Sequence, residues 1–256
     1  MRIGLVGFAG SGKTTVFNAM TGLDVPTGFG GEMRLGSARG PDDRIDHLSR
    51  IFSPKKTTFA EMSFADIPGE HGAEKKGISP RGLQQIRDQE ALCLVLRDFQ
   101  NPALDSDPDP GGDLEAFHAE CLLADLGIVE HRLERARKER APAPEISAFE
   151  NMQTALEEER PLRTVPEKEL DRSRLMGYGF LTDKPLLVAV NRDEEWVDEN
   201  LPAELQDRIH EMGAAGLSLS AGVEADITGL EPDDQAEFLA DLELDGSALT
   251  RFIRTA

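Results

Sequence analysis

Apolar runs and polar gaps alternate along the chain in a regular order. "RIGLVG" at residues 2–7 is short and apolar, the pattern of a buried strand, and "TTVFNAMTG" after it reads as the start of a helix. Residues 24–41, "DVPTGFGGEMRLGSARGP", are glycine-rich and weakly periodic, which predicts a loop. "DDRIDHLSRIF" predicts a short helix, and "FAEMSFADIPG" alternates as a strand does before ending at Asp66-Ile67-Pro68-Gly69. Residues 70–82 are again glycine-rich and polar, "GLQQIRDQE" predicts a helix, and "ALCLVLRDF" predicts a buried strand. Strand, helix, loop, strand, helix, strand is the alternation of a doubly wound α/β sheet.

"NPALDSDPDPGGD" interrupts that rhythm. Apolar residues then recur at Ala119, Leu122, Leu126, Val129, Leu133 and Ala136, with the three-four spacing of a coiled-coil seam. "APAP" at 141–144 stops the helix, and Ile146, Phe149, Met152 and Leu156 mark a second amphipathic one. Two such helices joined by a short turn predict an antiparallel helical hairpin, and its basic run "HRLERARKER" at 131–140 reads as a solvated face. The sheet pattern resumes with the strand "KPLLVAVN", the helix "PAELQDRIHEMG" and a last strand "GLSLSAG". The tail from about residue 231 predicts two short helices, "PDDQAEFLADL" and "GSALTRFIR".

Composition narrows the classes. A chain of 256 residues with 39% hydrophobic content supports one large α/β domain, with or without an insertion. The net charge of -20 repels nucleic-acid backbone and anionic lipid, so no direct DNA binding and no membrane association are expected. Cys93 and Cys121 are too few for a disulfide framework, and Cys93 in "ALCLVL" reads as a core thiol. The N-terminus is itself a strand rather than a leader, and no apolar stretch approaches a membrane span, so a cytoplasmic protein is expected.

Chemistry enters with "GFAGSGKTT" at residues 7–15. Gly7, Gly12, Lys13 and Thr14 complete the G-x-x-x-x-G-K-[ST] spacing between a strand and a helix, the setting of a phosphate-binding P-loop. The backbone through Gly10, Ser11 and Thr15 would turn N–H groups toward phosphate oxygens at a helix N-terminus. Lys13 would reach the β- and γ-phosphates and spread the charge of the transferring group, and the Thr14 hydroxyl would ligate Mg²⁺. Asp66 to Gly69 is a D-x-x-G element one strand on, where the Asp serves the Mg²⁺ and the Gly69 amide faces the γ-phosphate. "NRDE" at 191–194 follows a buried strand, in the place of a base-reading N-K-x-D. Glu194 is one methylene longer than the guanine-reading Asp, which weakens guanine selectivity and leaves adenine open. Ser220-Ala221 at the end of the last strand matches an S-A element that backs the base.

"RIGLVGFAGSGKTTVFNA", "DIPG", "NRDE" and above all "SAGVEADITGLEPDDQAEFLADLELDGSALTRFIR" resemble the YchF/Obg-like ATPase family over nearly the whole chain. The resemblance implies a Ras-like P-loop nucleotide domain, an α/β doubly wound sheet with an inserted antiparallel coiled-coil hairpin. It divides the chain into the first part of that domain (1–110), the hairpin (111–176) and a second part with C-terminal helices (177–256). It also implies an ATP-favouring N-x-x-E motif, here Asn191 and Glu194, and association with ribosomes. The family continues into a small β-rich TGS-type domain where this sequence stops at "RFIRTA". Other departures lie at the site. Gly10 stands where the family has Asn, "GFGGEMR" carries no Thr, residues 99–112 contain no His in place of a catalytic one, and Glu70 replaces an apolar residue after the D-x-x-G. His71 beside it is a candidate to orient water.

The expected activity is Mg²⁺-dependent binding and slow hydrolysis of ATP in preference to GTP, coupled to a conformational switch. The catalytic group would be Lys13, Gly69, Glu70 and His71. The competing readings are a nucleotide-binding module with little or no hydrolysis, a GTP-specific GTPase, and a P-loop kinase; NRDE and Ser220-Ala221 argue against the kinase, because such enzymes usually close an Arg-rich lid instead.

Overall fold

The structure is a computed structural model, which describes residues 1–28, 31–40, 43–59, 61–69, 78–196, 199–242, 244 and 246–255. Strand β1 (Arg2–Val6) leads through the glycine-rich loop into helix α1 (Lys13–Thr21). Strand β2 (Arg34–Arg39), helix α2 (Asp43–Phe52) and strand β3 (Glu61–Asp66) follow. Helix α3 (Pro80–Arg87) starts at Ser79, whose hydroxyl accepts the Gly82 N–H as an N-cap does. Strand β4 (Ala91–Asp98) is buried along nearly its whole length.

The interruption after β4 is the start signal of a long helix. Asp109 accepts the Gly112 N–H at 2.9 Å and Pro110 takes the first turn, so helix α4 runs Pro110–Glu139. Arg140 turns into the left-handed region, and helix α5 (Ala143–Glu157) returns against α4. Short 3-10 turns lead to strand β5 (Leu186–Arg192). Helix α6 (Ala203–Glu211), strand β6 (Ala215–Leu219) and helices α7 (Ala221–Thr228), α8 (Pro232–Asp241) and α9 (Ala248–Thr255) complete the described chain.

The six strands form one sheet in the order β2-β3-β1-β4-β5-β6. All pairings are parallel except β2 with β3. Here the expected loop at 24–41 is corrected: it contains an antiparallel edge strand. Its inward positions, Arg34, Gly36 and Ala38, carry almost no apolar signal. Gly36 lies so close to α1 that a Cβ there would sit 2.8 Å from the Phe17 ring and from Thr21, so the position excludes the bulky residue that would have revealed the strand.

One face of the sheet packs Phe17, Met20, Phe64 and Phe252 with Cys93; the other packs Ile86, Leu94, Phe117, Cys121 and Ile209. A third cluster joins Val129 and Leu133 of α4 to Phe149, Met152 and Leu156 of α5, with Phe180 beneath. The expected seam begins later than its spacing suggested. Ala119 is exposed, because the first turns of α4 face the sheet through Leu114, Phe117 and Cys121 and only then meet α5. The basic run on α4 is partly paired across the hairpin, Arg132 with Glu145 and Arg137 with Glu150. Asp125, fully buried, ties α4 down: it accepts the Thr182 N–H and hydroxyl at 2.8 Å each and faces Arg87 at 3.4 Å.

Candidate functional site

The carboxyl ends of β1 and β3 open onto one cleft, as strand ends do in α/β sheets that bind ligands. The loop from Gly7 to Thr15 forms its floor. Gly12 has φ 87°, and a Cβ there would fall 2.2 Å from Asn191 Nδ2, so neither backbone nor space admits another residue. Lys13 is buried, and its ammonium donates to Gly7 O at 2.9 Å and Phe8 O at 2.8 Å. Burial pulls its pKa from 10.5 to about 8, against the raising influence of the Asp66 carboxylate.

Thr14 donates its hydroxyl to Asp66 Oδ2 at 2.8 Å. The other oxygen, Oδ1, is buried and has no hydrogen-bond partner among the described residues. A hydroxyl and a carboxylate with an unused oxygen make an all-oxygen donor set that suits a hard cation whose other ligands are phosphate and water. Gly69 closes in from β3. A Cβ at this position would lie 2.7 Å from Lys13 Nζ and 3.0 Å from Ala9 N, so any side chain would crowd the lysine.

The cleft is open to solvent and has a volume of about 300 Å³. Its walls include Ala9, Gly10, Gly12, Lys13, Thr14, Thr15, Asp66, Pro68 and Gly69. They also include residues that sequence reasoning missed: Thr27, Gly28, Glu32 and Arg34 before and within β2, and Phe99, Gln100, Asn101 and Pro102 after β4. Both groups had a signal short of named residues: the first spans the "GFGGEMR" stretch compared with the family's site, and the second follows a strand end on the ligand side of the sheet. Asn101 donates to Gly10 O at 3.1 Å, and Leu104 reaches within 2.8 Å of where a Gly10 Cβ would stand. The glycine at position 10 and the segment after β4 therefore fit each other.

The expected base-reading residues lie apart from these walls. Asn191 is buried and bridges two elements: its Nδ2 donates to Ser11 O at 3.1 Å and its Oδ1 accepts the Ala221 N–H at 2.9 Å. Ser220 is buried at the N-cap of α7, and Ser11 is buried inside the loop. Glu194 is exposed at the head of a 3-10 turn, Glu194–Trp196. Arg192 is pinned by Asp98 at 2.9 Å and lies over the Trp196 ring at 5.6 Å. Gly7 lies at the end of β1, its position filled by Val95 O, 2.4 Å from where a Cβ would stand. Glu70 and His71 lie outside the described residues.

No protein-family model matches the chain. Curated relatives do. The ribosome-binding ATPase YchF of Haemophilus ducreyi is 31% identical over 99% of this chain and 74% of the relative. That of Bacillus subtilis is 30% identical over the same shares. A solved structure described as the Schizosaccharomyces pombe YchF GTPase superposes with TM-score 0.83 at 25% identity, covering 100% of this chain and 74% of that one. With a Ras-like cleft, a helical hairpin after β4 and identity of this extent, the chain belongs to the YchF family.

Proposed function

We propose that the protein is a Mg²⁺-dependent purine nucleoside triphosphatase that favours ATP and acts as a switch at the ribosome in the cytoplasm. We divide it into a nucleotide domain (1–110 and 177–256) and an inserted hairpin (111–176). The reading rests on one observation: Lys13, Thr14 and an Asp66 carboxylate with an unpartnered oxygen surround one cleft. The bacterial relatives are named ribosome-binding ATPases, which supports both the reaction and the partner. Among the described residues no helix is long and apolar enough to cross a membrane.

In this reading the loop amides from Gly10 to Thr15 cradle the phosphates. Lys13 swings from the Gly7 and Phe8 carbonyls onto the β- and γ-oxygens. Thr14 and Asp66 hold Mg²⁺, which when bound neutralises negative charge on the phosphate oxygens. Gly69 offers its N–H to the γ-phosphate, and Glu70 or His71, next in the chain, orients the attacking water. Asn191 and Ala221 fix the loop from behind, while Glu194 is one methylene too long for the guanine pose.

Calorimetric titration with ATP and GTP, with and without Mg²⁺, tests the site, and phosphate release with water as sole acceptor tests the reaction. We expect ATP to bind at least as tightly as GTP and to be cleaved slowly, more slowly still in His71→Ala. A GTP preference of about a hundredfold would overturn the base assignment, and it would fit the name of the yeast neighbour. The second reading, binding without cleavage, is favoured by a cleft wall of Phe99 to Pro102 that carries no histidine. Absence of single-turnover hydrolysis in both proteins would establish it, and turnover that demands a second acceptor would indicate a kinase.

A further inference from the structure

Arg34 is the one residue that brings a second positive charge to the described walls of the cleft beside Lys13. Its position follows from the sheet. β2 runs antiparallel to β3, with Arg34 paired to Asp66 at the end where the loop lies. Residues 34, 36 and 38 share one face by the two-residue period of a strand. Gly36 on that face abuts Phe17 and Thr21 of α1, so Arg34, two residues earlier, reaches the opening turn of that helix, where Thr14 and Thr15 line the same cleft.

The bonding of its guanidinium is incomplete. Nη1 donates to Pro26 O at 2.8 Å, and no ion pair with a described carboxylate is formed. The chain has 48 acidic residues against 28 lysines and arginines, yet this half-buried guanidinium on the cleft wall keeps N–H donors that no described carboxylate engages. A guanidinium presents a planar fork of N–H donors that matches phosphate oxygens, and an arginine supplied in cis stabilises the transferring phosphoryl group in some nucleotide hydrolases.

We propose that Arg34 reads the γ-phosphate, so that β2 distinguishes nucleoside triphosphate from diphosphate in place of the threonine that "GFGGEMR" lacks. The proposal rests on the cleft being a nucleoside triphosphate site. Its Pro26 contact holds the side chain at the mouth of the cleft, and the free N–H groups close on the terminal phosphate.

The test is calorimetry with a non-hydrolysable ATP analogue and with ADP, on the parent protein and on Arg34→Ala, Arg34→Lys and Arg34→Gln. Charge-assisted hydrogen bonds of this kind set the expected loss of analogue affinity in Arg34→Ala at about 10–100-fold, with ADP affinity changed by less than about threefold. Arg34→Lys recovers part of the loss. Arg34→Gln, which keeps a donor for Pro26 O but no charge, does not, and it stands in if Arg34→Ala melts early. Equal losses for both nucleotides would reduce Arg34 to a tether of the loop and overturn the proposal, as would unchanged affinities. A parent protein that binds neither nucleotide would instead remove the nucleotide site itself.

Discussion

Lys13 holds a positive charge among the carbonyls of its own loop, and burial brings its pKa to about 8. A triphosphate favours the ammonium, so the complex has the higher pKa. The sign follows: below about pH 8 both free and bound proteins carry the proton, and above it binding must take one up. We expect triphosphate affinity to be flat below about pH 8 and to fall about tenfold per unit above it, until the pKa of the complex is reached. Titrations from pH 7 to 9.5 in buffers of different ionisation heat would detect both the fall and the proton. Lys13→Ala should abolish tight binding and its pH dependence while the fold survives. Lys13, Thr14 and Asp66 were legible because their spacing in sequence is itself the geometry: a strand, a fixed turn and a helix start. Arg34 was not, because it reaches the same cleft only through the pairing of β2 with β3. Asn191 was expected at the base, and its bonds go to Ser11 and Ala221, a bridging arrangement that no motif prints.

Helix α3 begins at Pro80, and α4 holds Ile78 just ahead of its N-cap and Arg87 at its end. Glu120 accepts the Ile78 N–H at 3.3 Å, and Arg87 donates to Ala124 O at 3.1 Å and to Asp125 at 3.4 Å. Asp125 is the centre of this grip. Burial raises its carboxyl pKa, against the lowering hydrogen bonds from Thr182 and Leu181 and the nearby Arg87 charge. Removing it leaves the buried Thr182 hydroxyl and N–H without their acceptor and takes the facing carboxylate from the largely buried Arg87. Asp125→Ala is therefore expected to destabilise the protein by about 3–5 kcal/mol, read as a lower urea midpoint. A loss under about 1 kcal/mol would show that water replaces the carboxylate. Periodicity made the α4–α5 pair visible, since Val129, Leu133, Phe149 and Met152 repeat on one stripe. It misplaced the start of that seam at Ala119 because one helix serves two partners in succession, first the sheet and then α5.

The end of the described chain is fastened to α7, β6 and β3. Glu224 of α7, 1% exposed, accepts the Ala248 N–H at 2.7 Å and pairs with Arg251, which also donates to Ser218 O at 2.9 Å. Phe252 then meets Phe64 edge-on at 5.6 Å. α9 thus closes the face of the sheet that carries α1, and Glu224→Ala should cost about 3 kcal/mol or more by urea denaturation, with Glu224→Gln costing less because an amide oxygen still caps α9. Equal losses would assign the whole effect to the Arg251 pair. Two thiols sit on opposite faces of this closed sheet. Cys93 packs with the α1 side, its pKa pushed by burial up to about 12, and Cys121 packs with the α4 side, raised by burial and by the Asp125 charge. Only a thiolate reacts with an alkylating reagent, so each cysteine stays silent until its own face opens. The molecule thereby carries a separate clock for each side. Nucleotide that binds only the closed form slows a clock by the factor one plus its concentration over Kd, and the cysteine it slows names the face that the nucleotide keeps shut.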